Sequence, residues 1–458
     1  NNTGNTNYNT AAIIITTNST TLTLGKEDGN VSITNPEIIG SRYGINNEGN
    51  GTFNFYDGII KGKTAINGNL SAKEKGYEVI TTEENEIETA ILGNLPVAKI
   101  GEKEYYTFQE AFDACPSDGT ETTVEVLRNC TTDMANIIEE NKNIVLDIQS
   151  YKIVSGIENL FTNNGKFKIV DSIGNGRIIS AKGTILKNEE TGNFAINNIT
   201  MQMTGSSAID ETIENKGMLE VTGGVIISDG LKNKCINNIE QGTVKITGGT
   251  VSAYTYAIYN TSSNKIEIEG GTVQATYYYE GYSAIYNNTE NGVVEIKGGL
   301  VTNQGKAIEN KKGTIKVTGG EIRTTQGDTR YSECGIYNNG KVIIEDGKVA
   351  ALYRGSGIQN EGGTIEITGG TVSAPEWYNS IINRGTLEIS GGTIKSNQKG
   401  IYNNSTLKMT GGTVEVQEPN YTALECGGGT ATIEGGTIKY NNTGNTNYNT
   451  AAIIITTN

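Results

Sequence analysis

One sequence motif occurs three times with small changes: AIENKKGTIKVTGGEI at residues 307–322, GIQNEGGTIEITGGTV at residues 357–372 and SIINRGTLEISGGTI at residues 380–394. The shared motif is small-Ile-x-Asn, a spacer of two to four residues, apolar-x-apolar-x, and then Gly-Gly-Thr-apolar, with Glu in place of Thr in the first copy. A regular period of this kind is typical of a solenoid in which each repeat forms one turn. The motif asparagine recurs about every 23.5 residues, at Asn215, Asn238, Asn260, Asn287, Asn310, Asn338, Asn360, Asn383 and Asn403.

Alternating apolar residues predict three short strands in each turn. Period-two alternation indicates β-strands rather than helices, because neighbouring side chains point to opposite faces of a strand. Ile246 lies before one Gly-Gly pair, Val251 lies after it, and Ile258 belongs to the next small-Ile-x-Asn element. Turns stacked at about 4.8 Å place such residues in interior columns. We expect Gly-Gly to form a tight corner and the asparagines to hydrogen-bond along the stack.

The segment TFQEAFDACP at residues 107–116 predicts a short helix. Thr107 and Glu110 have the spacing of a capping box, and Phe108, Ala111 and Phe112 share one helical face. A solenoid needs its open apolar end covered, and a helix before the first strand meets that need. The expected fold class is therefore an all-β, right-handed, three-sheet parallel β-helix of about 23 residues per coil with a short N-terminal capping helix.

The Gly-Gly-Thr-Ile coils and the preceding helix resemble those of pectate-lyase-like parallel β-helix proteins on the surfaces of Gram-positive bacteria. The resemblance covers roughly residues 99–438 and 13–69. It implies an extracellular protein, secreted or at the cell surface. It leaves the function open, because the family includes adhesin-like rods and polysaccharide-degrading enzymes.

Composition narrows the possible functions. The 458 residues contain no His, and 36 Lys+Arg against 51 Asp+Glu give a net charge of −15, which disfavours nucleic acid and anionic membranes as partners. Without His there is no Ser-His-Asp or Cys-His arrangement and no His-ligated zinc. The five cysteines lack C-x-x-C spacing, although Cys115 and Cys130 could pair. We expect no cofactor, no metal, and no targeting or membrane-spanning segment.

Residues 1–18 and 441–458 are identical, both reading NNTGNTNYNTAAIIITTN. Surface positions tolerate substitution, so identity at every polar residue favours tandem duplication over a physical requirement, with a shared terminal tag as the alternative. We interpret 1–70 as the final coils of one repeat unit and 71–97 as a closing segment and junction. Residues 98–440 are then the capping helix and coils of the next unit, and 441–458 start a further copy.

Aromatic residues recur in the loop between the strand after Gly-Gly and the small-Ile-x-Asn element. On stacked coils they form a stripe, which could bind glycans or a protein, or in which the rings could simply cover one another. The stripe comprises Tyr254, Tyr256, Tyr277, Tyr278, Tyr279, Tyr282, Tyr331, Tyr353, Trp377, Tyr378 and Tyr421. A third possibility, ice binding by the threonines beside Gly-Gly, is weak because Leu300, Glu321 and Lys348 interrupt that column.

The expected function is structural: an extracellular rod or fibre of tandem 440-residue units that serves as a cell-surface scaffold, adhesin or matrix filament. Its expected partners are other copies of itself end to end, and possible further partners are glycans or host-surface proteins. We assign no catalytic residue, because the carboxylates are scattered and a polygalacturonase-type Gly-His-Gly motif requires His. The alternative function is a glycan-binding module or a carbohydrate-active β-helix enzyme that uses the aromatic stripe.

Overall fold

The computed structural model describes residues 11–27, 31–74, 77–205, 211–230, 233–277, 282–325, 333–375, 378–418, 421–440 and 452–455. The fold is an all-β parallel β-solenoid of about 17 turns, with about 23 residues per turn and one short helix near residue 108, which confirms the expected fold class. The chain divides into two compact units. Unit 1 comprises Asn1–Ala111 and Thr132–Met134, and unit 2 comprises Phe112–Thr131 and Ala135–Asn458.

Each full turn of unit 2 carries up to three strands, and each strand pairs in parallel with its equivalent one turn away. We call the sheet of apolar-x-apolar strands the first sheet, the sheet after Gly-Gly the second sheet, and the sheet of small-Ile-x-Asn strands the ladder sheet. The register follows the sequence motif. In the first sheet, for example, Ile246 pairs with Ile268, and Ile268 pairs with Ile296.

The strand bounds follow this division, except that three long strands pass from one sheet to another, and the longest of them contributes to all three sheets. The first sheet contains Glu121–Val126, Asn143–Asp147, Lys166–Val170, Asn193–Asn197, Met218–Val221, Thr243–Ile246, Ile266–Ile268, Thr364–Ile367, Thr386–Ile389, Thr406–Met409 and Thr430–Ile433. The second sheet contains Cys130–Thr132, Lys152–Ser155, Arg177–Ser180, Thr200–Met203, Val225–Ser228, Thr250–Ala253, Thr272–Ala275, Leu300–Asn303, Thr371–Ala374, Thr393–Ser396, Thr413–Val416 and Thr437–Tyr440. The ladder sheet contains Asn136–Ile138, Asn159–Asn163, Thr184–Asn188, Glu211–Asn215, Lys234–Asn238, Tyr256–Asn260, Cys334–Asn338, Ser356–Asn360, Asn379–Asn383, Lys399–Asn403, Leu424–Cys426 and Ile453–Ile455. The long strands are Ser283–Ile296, Lys306–Thr324 and Lys341–Ala351.

Interior columns of aliphatic side chains form the core of unit 2. Ile246, Val251 and Ile258, one from each sheet, are completely buried. The predicted Gly-Gly corners are also present. At Gly249 the backbone has a φ of +76°, and a Cβ there would lie 2.6 Å from the carbonyl oxygen of Gly224 in the turn before, so only glycine fits without distortion.

The predicted helix spans Phe108–Ala114. Its capping box is formed: the Glu110 amide donates to Thr107 Oγ1 (3.1 Å) and the Thr107 amide donates to Glu110 Oε2 (3.2 Å). In unit 2, the Phe112 ring packs against Phe161 and Phe167, with ring centroids 6.2 Å and 5.8 Å away. The later part of the helix therefore covers apolar residues of the first turns of unit 2, as a cap does.

Unit 1 contains a shorter stack of the same kind. Its parallel strands form three groups: Ala11–Ile14, Tyr43–Asn46 and Thr64–Asn67; Thr21–Leu24, Thr52–Phe55 and Ala72–Lys73; and Glu37–Ile39 with Ile59–Gly62. An antiparallel hairpin, Glu78–Glu84 and Ile87–Gly93, pairs with Ile59–Gly62, and a second hairpin joins Ala98–Ile100 to Lys103–Tyr105. The interpretation of these segments as parts of tandem copies stays a prediction.

Candidate functional site: an asparagine ladder and a tyrosine cluster

The most regular polar feature of unit 2 is a column of asparagines inside the ladder sheet. Each is the last residue of the Ile-x-Asn element, so the Ile and the Asn point into the stack while residue x points outward. In-register pairing then places each asparagine over the previous one, as Asn238 lies over Asn215 and under Asn260. All are at most 1% exposed. We call this column the asparagine ladder.

Ten hydrogen bonds connect eleven asparagines without interruption. In every step the Nδ2 of one residue donates to the Oδ1 of the residue one turn further on. The pairs are Asn163–Asn188 (2.8 Å), Asn188–Asn215 (2.8 Å), Asn215–Asn238 (2.7 Å), Asn238–Asn260 (2.8 Å), Asn260–Asn287 (2.8 Å), Asn287–Asn310 (2.9 Å), Asn310–Asn338 (2.8 Å), Asn338–Asn360 (2.9 Å), Asn360–Asn383 (2.8 Å) and Asn383–Asn403 (2.8 Å). Because all the amide dipoles point the same way, each bond polarises and strengthens its neighbours.

Most ladder asparagines also hold the loop that follows their own strand. The second Nδ2 hydrogen of Asn238 donates to the carbonyl oxygen of Gly242 (2.9 Å), and that of Asn360 to the carbonyl oxygen of Gly363 (2.8 Å). Buried amides are costly unless they are hydrogen-bonded, and these are satisfied on both sides. At the two ends, Ile138 pairs with Asn163 and Cys426 pairs with Asn403.

All nine predicted asparagines belong to the ladder, and the sequence analysis missed two more. Asn163 and Asn188 end the segments NLFTN and TILKN, in which Phe161 and Leu186 stand where the motif has Ile. A pattern of apolar-x-Asn, rather than small-Ile-x-Asn, finds both. In unit 1 the equivalent Asn47 also donates to its loop, at the carbonyl oxygen of Gly51 (2.8 Å), but in the next turn it donates to a backbone carbonyl, that of Asn69 (3.1 Å), rather than to an asparagine side chain.

A cluster of six tyrosines lies on the outside of unit 2, and we call it the tyrosine cluster. Tyr259 and Tyr286 are stacked, with ring centroids 4.8 Å apart and planes 14° apart. Tyr256 meets Tyr286 edge-on at 5.6 Å. The other contacts are Tyr256–Tyr259 (5.4 Å), Tyr256–Tyr282 (5.3 Å), Tyr277–Tyr282 (5.5 Å) and Tyr254–Tyr277 (4.6 Å). All six side chains are half-buried.

Charged groups border this cluster. The Glu309 side chain is nearly buried and pairs with Lys311 Nζ (2.7 Å) and Lys306 Nζ (3.3 Å). Lys306 Nζ lies 4.2 Å from the centroid of the Tyr337 ring, a cation–π contact. Burial, followed by the negative charge of Glu309, raises the pKa of the Tyr256 hydroxyl. The hydroxyl therefore stays protonated at neutral pH, and Tyr256 contributes apolar ring faces and an O–H group rather than a charge.

The described residues include part of the predicted aromatic stripe. The structure brings together Tyr254, Tyr256, Tyr277 and Tyr282, and it adds Tyr259 and Tyr286, which the sequence analysis missed. Tyr259 and Tyr286 both occupy the outward x position of Ile-x-Asn. Because these positions pair in register in neighbouring turns, the motif alone could have predicted that the two rings lie together. Tyr353 is 70% exposed, and Tyr378 and Tyr421 are half-buried. Tyr278, Tyr279, Tyr331 and Trp377 lie outside the described residues.

Neither feature is identified by similarity to known proteins. No family model, no curated protein and no solved structure matches this chain. In the described part of the chain, no three or more Cys, Asp or Glu side chains are grouped so that they could hold a metal ion. The same residues include no helix of the length and apolarity needed to cross a membrane. What the site offers is a buried hydrogen-bonded column and an aromatic outer patch.

Proposed function

We propose that the protein is a structural element, a stiff extracellular rod or fibre built from tandem 440-residue β-solenoid units, which acts as a surface scaffold, adhesin or matrix filament. The observation that carries the proposal is the unbroken asparagine ladder. Its ten steps, at about 4.8 Å each, extend over about 48 Å. A slip of one turn against the next by a single residue would replace these hydrogen bonds with buried unsatisfied amides, so the ladder favours one rigid register.

Two further properties support a structural role. The net charge of −15 makes unspecific adhesion between neighbouring rods unfavourable. Within the described strands, the backbone is hydrogen-bonded between turns, which disfavours proteolysis inside those strands. The resemblance of the coils to pectate-lyase-like surface proteins is the support for an extracellular location. We propose that this chain resembles the adhesin-like rods of that family in architecture and has no enzymatic activity.

Electron microscopy and mass spectrometry of the native material test this function. We expect elongated particles and an intact polypeptide mass of more than one 440-residue copy. Compact particles, or a native mass near the 48.9 kDa of this chain, would contradict the tandem rod.

The second candidate function is glycan binding through the tyrosine cluster. It is favoured by six half-buried rings in one outward patch, because tyrosine faces are suited to stacking on sugar rings. A glycan array with Tyr282→Ala and Tyr259→Ala tests it, with Tyr402→Ala, an outward tyrosine outside the cluster, as the matched control. Binding that is lost in the two cluster variants and kept in the control supports the role. Equal binding in all three variants contradicts it.

A further inference from the structure

The two identical 18-residue sequences occupy equivalent places in two different stacks. In unit 1, Ala11–Ile14 is the edge strand of its sheet, and Ile13 lies directly under Ile45. In unit 2, the strand Ile453–Ile455 pairs in parallel with Leu424–Cys426, and Ile453 lies directly over Leu424. Ile453 is the repeat of Ile13. In unit 2, Ile453 therefore extends the aliphatic column that contains Leu424. In unit 1, its repeat Ile13 is the first residue of the equivalent column.

The end of unit 2 at this point is apolar and uncovered. Ile433 is 42% exposed, whereas Met409, one turn below it in the same column, is 1% exposed. Ile453 is 40% exposed, whereas Leu424 below it is 1% exposed. All four residues of Thr430–Ile433 are exposed. Interior columns that end in exposed isoleucine indicate that further turns are needed to complete the core.

The strands that follow the repeated sequence in unit 1 have the same order as the strands in one turn of unit 2. After Ala11–Ile14 come Thr21–Leu24 and Glu37–Ile39, each of which is an edge strand of its own sheet. In unit 2 the ladder-sheet strand is likewise followed by a first-sheet strand and a second-sheet strand. Leu22 and Leu24 point towards Phe53 and Phe55 in the next turn, so these leucines are core residues of a stack.

We infer that the exposed end of unit 2 is a docking surface for a second copy of this chain, namely for the residues equivalent to 19–70 that follow the repeated sequence in the next copy. This inference rests on the tandem arrangement of the proposed function and specifies its joint. Thr21–Leu24 of the next copy pairs with Thr430–Ile433, which places Leu24 over Ile433 and Leu22 over Ala431. Glu37–Ile39 pairs with Thr437–Tyr440, which places Ile38 over Ile438.

The joint makes one solenoid from two copies. The stack begins at the capping helix of one copy and continues through the turn that contains the repeated sequence, residues 441–458. It ends at the hairpin Glu78–Glu84 and Ile87–Gly93 of the next copy. The antiparallel pairing of this hairpin with Ile59–Gly62 ends the parallel stack. A large residue over a small one, Leu22 over Ala431, also fits the dense packing that protein interiors require.

Hydrogen exchange on the 458-residue chain and on an extended chain tests the joint. The extended chain carries residues 19–97 again after Asn458, so that it contains the proposed occupant. We expect the amides of residues 430–440 to exchange at least about tenfold more slowly in the extended chain, because they become interior strands. The matched control is the extended chain with Leu22→Lys and Leu24→Lys in the added copy only, which should return these amides to the rates of the 458-residue chain.

Two results would overturn the joint: unchanged exchange at residues 430–440 in the extended chain, or equal protection of these amides in the extended chain and in the control. Neither of these results affects the asparagine ladder or the length of native particles, so the joint can fail while the proposed structural function stands.

Discussion

Removing one asparagine from the middle of the ladder should destabilise the stack by several times the effect of its exposed neighbour. We choose Asn338→Ala, with Asn339→Ala as the control, because Asn338 is completely buried and Asn339 is exposed. Asn338 accepts a hydrogen bond from Asn310 (2.8 Å) and donates to Asn360 Oδ1 (2.9 Å) and to the carbonyl oxygen of Gly340 (3.1 Å). The backbone amide of Asn339, which alanine retains, bonds to the carbonyl oxygen of Asn310.

The magnitude follows from these three contacts. A net contribution of about 1 kcal/mol for each hydrogen bond, with partners left buried and unsatisfied, gives a loss of about 3 kcal/mol. The control should change stability by less than about 0.5 kcal/mol, as an exposed substitution does. Asn338→Asp should cost at least as much as alanine, because it places a carboxylate oxygen against Asn360 Oδ1 and buries a charge.

Native-state hydrogen exchange is the suitable assay, because turns of a solenoid can open separately and a single unfolding midpoint can hide local effects. Opening free energies should fall most for the strands that contain Asn310, Asn338 and Asn360, and less for distant turns. Equal opening free energies in Asn338→Ala and Asn339→Ala would contradict this prediction, because the buried amide would then contribute no more than an exposed one.

Three other predictions concern charge, capping and corners. Hydrogen bonds from Lys265 and Lys297 lower the pKa of Glu267 from 4.5 to about 2, so this interaction stabilises the fold above about pH 4.5 and is lost as the pH falls towards 2. Glu267→Gln should accordingly reduce the fall in urea midpoint between pH 5 and pH 2.5, and an unreduced fall would count against it. Glu110→Ala should cost about 1 kcal/mol in the opening free energy of the helix, whereas Glu110→Gln, which keeps the capping box, should cost less. Gly249→Ala should lower the urea midpoint more than Gly119→Ala does, because both have positive φ but nothing lies within 4 Å of a Cβ at Gly119.

The repeat motif was enough to predict the turns, the interior columns and most of the ladder. Periodicity fixes register, and register places Asn215 to Asn403 in one column without any knowledge of the loops. The capping helix was predictable for a similar reason, because Thr107 and Glu110 interact over three residues of sequence. Local and strictly periodic features are therefore accessible from one sequence.

Features that depend on contacts between turns were less accessible. Tyr259 and Tyr286 were missed because the sequence analysis followed loop aromatics, whereas these rings stack only after pairing has brought the outward positions of two turns together. The ion pairs of Glu309 with Lys306 and Lys311 were missed because they depend on side-chain conformation and burial. Asn163 and Asn188 were missed because the motif was defined too narrowly around isoleucine.

A crystal or cryo-electron-microscopy structure of the 458-residue chain, at a resolution that separates side chains, is the decisive measurement for the stacked architecture. We expect Ile246, Ile268 and Ile296 to lie one above another at about 4.8 Å per turn, beside a column of asparagine amides within hydrogen-bonding distance of each other. Density in which these isoleucines belong to separate cores, or in which the asparagine side chains point into solvent, would contradict it.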